Sequence, residues 1–121
     1  MRLLIENNET IILHNPRCSK SRNALELLRI NDIDPLIIEY LKNPLSIQEI
    51  EKLLQLLNAH PVDIIRKNES FYKENLKHLT LERDQLLRAL AENPILIERP
   101  ICIRGKRAVL GRPPEKVLDL I

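Results

Sequence analysis

"TIILHNPRCSKSRNALELLRI", residues 10–30, joins a short apolar run to a helical pattern through a polar loop that contains Cys18. Residues 10–13 are rich in β-branched side chains, which favours a buried strand. Over residues 19–30 the apolar positions recur on one face of a helix. The stretch therefore predicts a strand, a loop and a helix, with a cysteine where the helix begins.

The rest of the chain extends this unit into a mixed sheet. "LIIEY", residues 36–40, predicts a second strand, parallel to the first because a helix connects the two. "PICI", residues 100–103, and "RAVL", residues 107–110, predict a hairpin, with Gly105 available for a positive φ. We therefore predict an α/β fold with a mixed four-stranded sheet and flanking helices.

The middle of the chain is predicted to be a helical insertion over residues 43–94. Ser46 followed by Glu49 is a capping-box pattern, and Leu45 with Ile50 fits a hydrophobic staple. A short helix is expected to open at Pro61. Thr80 is predicted to cap a later helix that ends before Pro94.

Length and composition favour one soluble domain spanning residues 1–121. Residues 1–9 precede the first pattern and are expected to form a loose N-terminal extension. A net charge of +2 and an aromatic content of 2% argue against nucleic-acid partners. No apolar run approaches about 18 residues and no secretory pattern opens the chain, so we expect a cytoplasmic protein without a membrane partner.

Cys18 has the surroundings of a reactive thiol. A free cysteine has a pKa near 8.5, and a helix N-terminus lowers it because unpaired N–H groups stabilise the thiolate. Arg17, Lys20 and Arg22 add positive charge nearby. The alternative, an inert buried thiol among solvated cations, fits this polar loop less well. Ser21 stands where a C-x-x-C motif would have its second cysteine.

Other cysteine chemistries fit the spacing poorly. A cysteine phosphatase loop needs an arginine six positions after its cysteine, and Ala24 stands there. The histidines and cysteines have no paired metal-ligand spacing, so no metal site is expected. Cys102 lies within an apolar strand pattern and is best interpreted as a core residue, with a resolving-thiol role as the lesser alternative.

Four motifs carry a resemblance to a known family. "HNPRCSKSRNALELL", "IIRKN", "NPILIERPI" and "GRPPEKVLDLI" occur in this order from about residue 11 to residue 121. Together they resemble the glutaredoxin-coupled arsenate reductases of the ArsC type, especially the short YfgD-like branch. The resemblance implies a thioredoxin-like fold with a helical insertion, which agrees with the predicted order of strands.

The resemblance also implies roles for six residues. Cys18 would be the nucleophile, and His14 and Ser21 would help to hold its thiolate. Arg66, Arg99 and Arg112 would surround the oxyanion. Pro100 matches a cis-proline beside the active site.

The implied reaction is the reduction of arsenate, or of a similar oxyanion, through a thiol–arsenate adduct on Cys18. Glutathione would be the co-substrate and glutaredoxin the partner that restores the cysteine. No bound cofactor or metal is implied, and we expect a monomer. Two alternatives stay open: a glutathione-dependent thiol reductase with another substrate, and an Spx-like transcriptional regulator, which usually carries a C-x-x-C switch.

Overall fold

The structure is a computed structural model that describes residues 1–121. The four strands are β1 (Thr10–Leu13), β2 (Leu36–Ile38), β3 (Ile101–Arg104) and β4 (Arg107–Leu110). The α-helices are α1 (Ser19–Ile30), α2 (Ile47–Leu57), α3 (Ser70–Asn75) and α4 (Arg83–Glu92). Three 3₁₀ helices span Pro61–Ile64, Pro94–Leu96 and Pro114–Leu120.

The strands form one mixed sheet in the order β2-β1-β3-β4. β1 pairs in parallel with β2, as the helical crossover predicted, and antiparallel with β3. β3 and β4 form the predicted hairpin, in which Gly105 has a φ of +59°. The prediction of a mixed four-stranded sheet is confirmed. All the elements between β2 and β3 are helical.

Side chains alternate across the sheet and so divide the core in two. Ile12 and Cys102, which are paired across β1 and β3, face α1 and the last 3₁₀ helix. Ile11, Leu13 and Ile103 belong to the larger cluster on the opposite face, together with α2 and α4. Successive side chains of a strand point to opposite faces, so a sheet with helices on both faces buries both sets.

Several element boundaries differ from the sequence-based prediction. β2 ends at Ile38, because the Glu39 carbonyl accepts the N–H groups of Lys42 and Asn43 in a turn. α4 is capped by Glu82 and not by Thr80. The closing helix is 3₁₀ rather than α-helical. α3 was not predicted, and none of its residues is buried.

The N-terminal segment is anchored, and the expectation of a loose extension is wrong for its first residues. Leu3 is 1% exposed and belongs to the larger core cluster. The Arg2 guanidinium donates to both carboxylate oxygens of Glu49, from Nε at 2.9 Å and from Nη2 at 2.8 Å. Glu49 also completes the predicted capping box with Ser46. One buried carboxylate therefore joins the N-terminus to the start of α2.

Candidate active site

The register of the sheet gathers the predicted site residues at one edge. Leu13 at the end of β1 pairs with Ile101, and Ile101 pairs with Leu110 at the end of β4. His14 follows Leu13, Arg99 lies just before β3, and Arg112 follows β4. Three strand ends therefore bring residues from distant parts of the chain to the edge where the Cys18 loop begins.

Cys18 is the N-cap residue of α1, and the loop before it is closed by local hydrogen bonds. The Asn15 carbonyl accepts the Cys18 N–H at 3.0 Å, and the Asn15 side chain accepts the Arg17 N–H at 3.0 Å. Arg22 donates from Nη1 to the Pro16 carbonyl at 2.9 Å. Arg22 thus supports the loop, and the Cys18 thiol is half-buried.

The pKa of the Cys18 thiol is lowered from its ordinary value. Burial opposes ionisation and is the largest single influence. It is outweighed by the backbone N–H of Ser21, the positive charge and hydrogen bonding of Arg99, and the backbone N–H of Lys20. Because the sulfur makes no full capping hydrogen bond, we attribute the effect of these N–H groups mainly to their dipoles. The arrangement favours a thiolate at the helix N-terminus.

His14 and Ser21 form a buried pair behind the loop. The distance between His14 Nδ1 and Ser21 Oγ is 2.7 Å, and Ser21 Oγ also accepts the Asn15 N–H at 3.1 Å. The Ser21 side chain is therefore bonded to His14 and Asn15, whereas its backbone N–H interacts with Cys18. Burial is the main cause that lowers the pKa of His14, which favours a neutral imidazole at neutral pH.

Arg99 is the arginine that acts on the Cys18 thiol. Its guanidinium charge favours the thiolate and so contributes to the lowered pKa of Cys18. Its Nε and Nη1 atoms are buried and have no hydrogen-bond partner. Buried donors are nearly always paired, so two unpaired guanidinium N–H positions beside a thiolate indicate a place for an anion. The peptide bond from Arg99 to Pro100 is cis, as the resemblance implied.

Arg66 reaches this edge through a separate backbone contact. Ile65 forms an isolated antiparallel bridge with Ile97, in which the Arg66 N–H donates to the Leu96 carbonyl at 2.7 Å. The Arg66 side chain lies 3.1 Å from a Glu69 carboxylate oxygen and 3.9 Å from one of Glu98.

Arg112 joins the same cluster from the end of β4. Its Nη1 lies 3.3 Å from Glu98 Oε2 and donates to the Arg99 carbonyl at 3.4 Å. The three predicted arginines are therefore brought together, and Glu98 lies between two of them.

Two residues of this cluster were missed by sequence reasoning, Glu98 and Tyr40. Tyr40 is 1% exposed, and burial raises the pKa of its phenol to about 12. The charges of Arg99, Arg66 and Cys18 all act on it, which places the phenol close to the cluster. Its position two residues beyond the end of β2 was the available signal, since β2 runs parallel to β1 and ends at the same edge.

Cys102 lies in the smaller core cluster. It is fully buried between the sheet and α1, and burial raises its pKa to about 12. The preferred interpretation of Cys102 as a core residue therefore agrees with its environment. The structure gathers no three His, Cys, Asp or Glu side chains that could hold a metal ion. None of the helices is both long enough and apolar enough to cross a membrane.

A mixed four-stranded sheet with a cysteine at the start of its first helix and a cis-proline before β3 defines a thioredoxin-like protein. More particularly, the chain belongs to the ArsC family, whose family model matches residues 13–120.

Several relatives match over nearly their full length. An arsenate reductase of Haemophilus influenzae is 42% identical over 113 residues, which are 92% of this chain and 97% of that protein. The uncharacterized protein YfgD of Escherichia coli (strain K12) is 41% identical over 112 residues, 91% of this chain and 94% of that protein. The structure of an arsenate reductase from Vibrio cholerae superimposes with a TM-score of 0.90 at 43% identity, covering 96% of this chain and 100% of that one.

Proposed function

We propose that this protein reduces arsenate to arsenite, with Cys18 as the nucleophile and with glutathione and glutaredoxin as the source of electrons. The observation that carries the proposal is the pair of unpaired, buried guanidinium donors of Arg99 beside the Cys18 thiol. The arsenate reductases among its relatives support the choice of oxyanion.

The charges suit an attack by one anion on another. Arsenate is a tetrahedral oxyanion that carries about two negative charges at neutral pH if it resembles phosphate. A thiolate that approaches it meets repulsion, which nearby guanidinium groups offset. Arg99 offers free donors, and Arg66 and Arg112 lie in the same cluster. Guanidinium groups suit this task because they bind oxyanions through two parallel hydrogen bonds.

The proposed chemistry needs one protein thiol and two molecules of glutathione. The Cys18 thiolate displaces one arsenate oxygen, which leaves as water after protonation, and a sulfur–arsenic(V) bond forms. Glutathione then displaces a second oxygen in the same way. Arsenic(V) takes the electron pair of a sulfur–arsenic bond, adds one water in place of the lost oxygen and leaves as arsenite, while the sulfurs of Cys18 and glutathione become joined as a disulfide. Glutaredoxin and a second glutathione restore the Cys18 thiol.

This scheme explains how a lone cysteine suffices. Ser21 stands where a C-x-x-C pair would have its resolving cysteine, and Cys102 is fully buried in the core. The second sulfur must therefore come from outside the chain. Glutathione is abundant in reducing compartments, which is why we place the protein in the cytoplasm. The scheme needs a single chain, so a monomer is sufficient.

A coupled assay tests the proposal. Purified protein is incubated with arsenate, glutathione, glutaredoxin, glutathione reductase and NADPH, and the loss of NADPH is followed. We expect NADPH loss that depends on arsenate and on glutaredoxin and is abolished in Cys18→Ser. Cys102→Ser serves as the matched control and should retain turnover if it folds. Turnover that survives in Cys18→Ser would contradict the mechanism.

The same assay separates this function from that of a thiol reductase with another substrate. Reduction of a glutathione mixed disulfide in place of arsenate, dependent on Cys18, would favour a thiol reductase with another substrate.

Arg99→Lys keeps the positive charge but loses the planar arrangement of guanidinium N–H donors. We expect it to lower turnover with arsenate by at least about tenfold, because bidentate binding is lost.

A further inference from the structure

Glu98 lies between two of the three arginines that would bind the oxyanion. Its Oε1 lies 3.9 Å from Arg66 Nε and its Oε2 lies 3.3 Å from Arg112 Nη1. The Glu98 side chain is 20% exposed, so these pairs are partly shielded from water. Arg66 has a second carboxylate in Glu69. In this structure, therefore, Arg66 and Arg112 are already paired with carboxylates, whereas Arg99 has buried donors that are free.

A carboxylate and a tetrahedral oxyanion use the same donors of a guanidinium group. An oxyanion that binds Arg66 and Arg112 through these N–H groups must displace the Glu98 carboxylate or share the donors with it. If the carboxylate stays close, it also repels the incoming charge. Both effects weaken the binding of an oxyanion.

The side chain of Glu98 can move when an oxyanion binds, whereas its backbone is held in place. Its backbone N–H donates to the Ile64 carbonyl at 2.8 Å, next to the bridge between Ile65 and Ile97. The residue that follows it is Arg99, whose carbonyl accepts from Arg112. A fixed backbone at this point keeps the carboxylate near the arginines after an oxyanion has entered.

We propose that Glu98 is an affinity-determining residue whose carboxylate competes with tetrahedral oxyanions for Arg66 and Arg112 and so sets how tightly the site binds them. The proposal rests on the proposed function, since it takes the arginine cluster as the oxyanion site. Its consequence is that the wild-type protein binds tetrahedral oxyanions, inorganic phosphate included, more weakly than the same arginines would without the Glu98 carboxylate. Removing the charge while keeping the shape should tighten oxyanion binding.

The test measures oxyanion binding without turnover. Inorganic phosphate is titrated against the rate at which iodoacetamide alkylates Cys18, and each variant is normalised to its own rate without phosphate. In Glu98→Gln we expect the phosphate concentration for half-protection to fall about fivefold, the size expected for partly exposed ion pairs. Glu98→Asp, which keeps the charge, should stay closer to the wild type and provides a second variant should Glu98→Gln not fold.

Two matched variants control for net charge and for the number of arginines affected. Glu115→Gln removes an exposed carboxylate that forms no ion pair and should leave half-protection unchanged. Glu69→Gln removes one of the two carboxylates near Arg66 and none near Arg112, so it should have a smaller effect than Glu98→Gln.

Turnover gives a second readout that a structural defect would not mimic. We expect Glu98→Gln to lower the KM for arsenate about fivefold while kcat stays within about twofold. Absence of protection by both phosphate and arsenate in the wild type and in Glu98→Gln would overturn the oxyanion site itself, and with it the proposed function. Protection in the wild type that is unchanged or weaker in Glu98→Gln would overturn only the role of Glu98, for it would mean that the carboxylate merely holds the arginines in place.

Discussion

At the scale of the residue, the state of Cys18 depends on a balance between burial and positive charge. Burial raises its pKa, whereas the first N–H groups of α1 and the Arg99 guanidinium lower it further than burial raises it. We therefore expect the rate of alkylation by iodoacetamide, followed against pH, to give a pKa for Cys18 below the ordinary cysteine range.

Arg99→Gln should move this pKa upward, since it removes a positive charge from the side of the thiol. Cys18→Ser is the control for labelling at Cys102, which should stay slow because that thiol is buried and its pKa is about 12. A Cys18 titration at the ordinary cysteine pKa, or one that Arg99→Gln leaves unmoved, would contradict this account.

The Ser21 hydroxyl bonds to His14 and Asn15, whereas its backbone N–H lowers the pKa of Cys18. A single substitution separates these two effects. Ser21→Ala removes the partner of two groups, His14 Nδ1 and the Asn15 N–H. Leaving buried polar groups unpaired should destabilise the fold by about 1–3 kcal/mol in urea unfolding. The Ser21 N–H remains, so the pKa of Cys18 should stay below its ordinary range. Restoration of an ordinary cysteine pKa in Ser21→Ala would instead assign the effect to the hydroxyl.

At the scale of the element, the β3–β4 turn depends on one glycine. Gly105 has a φ of +59°, and a Cβ atom there would lie 2.8 Å from the Asn7 Cα. Its N–H also donates to the Glu9 carbonyl at 3.2 Å, so the turn packs against the N-terminal segment. Gly105→Ala should lower the free energy of unfolding by about 1–2 kcal/mol through strain and crowding. The neighbouring Lys106→Ala, at an exposed position, should change it by less than about 0.5 kcal/mol.

Elements with strong local signals were predictable from the sequence. β1 and α1 have the predicted bounds, and the hairpin and the capping box of α2 formed as expected, because each depends on residues within a few positions. α3 has no buried residue and so shows no apolar periodicity. β2 shortens because of a turn that starts at Glu39, which alternation of apolar residues does not reveal.

At the scale of the whole molecule, the motifs predicted which arginines belong to the site. They did not predict the carboxylate with which two of these arginines pair. Glu98 stands next to Arg99 in the sequence, yet its pairing with Arg66 and Arg112 depends on the bridge between Ile65 and Ile97 and on the end of β4. These contacts join residues more than ten positions apart, so no local pattern encodes them. The anchoring of the N-terminus by Arg2 and Glu49, 47 positions apart, was missed for the same reason.

That anchor makes the stability of the whole molecule depend on pH. The Arg2 hydrogen bonds are the main cause that lowers the pKa of Glu49 to about 2, against an ordinary value near 4.3. A lowered folded-state pKa contributes stability above the unfolded-state pKa, and this contribution is lost as the pH falls from about 4.3 toward 2.

Arg2→Met tests this contribution. Arg2 is 39% exposed, so water weakens the pair and we expect the substitution to lower the free energy of unfolding at pH 7 by about 1–2 kcal/mol. The difference from the wild type should shrink as the pH is lowered toward 2, because Glu49 then becomes increasingly protonated in both proteins. Urea unfolding between pH 7 and pH 2 measures it, with Arg88→Met as the matched control at an exposed arginine without an ion pair. A difference that stays constant over this range would show that Arg2 stabilises the protein through packing of its side chain and not through the Glu49 carboxylate.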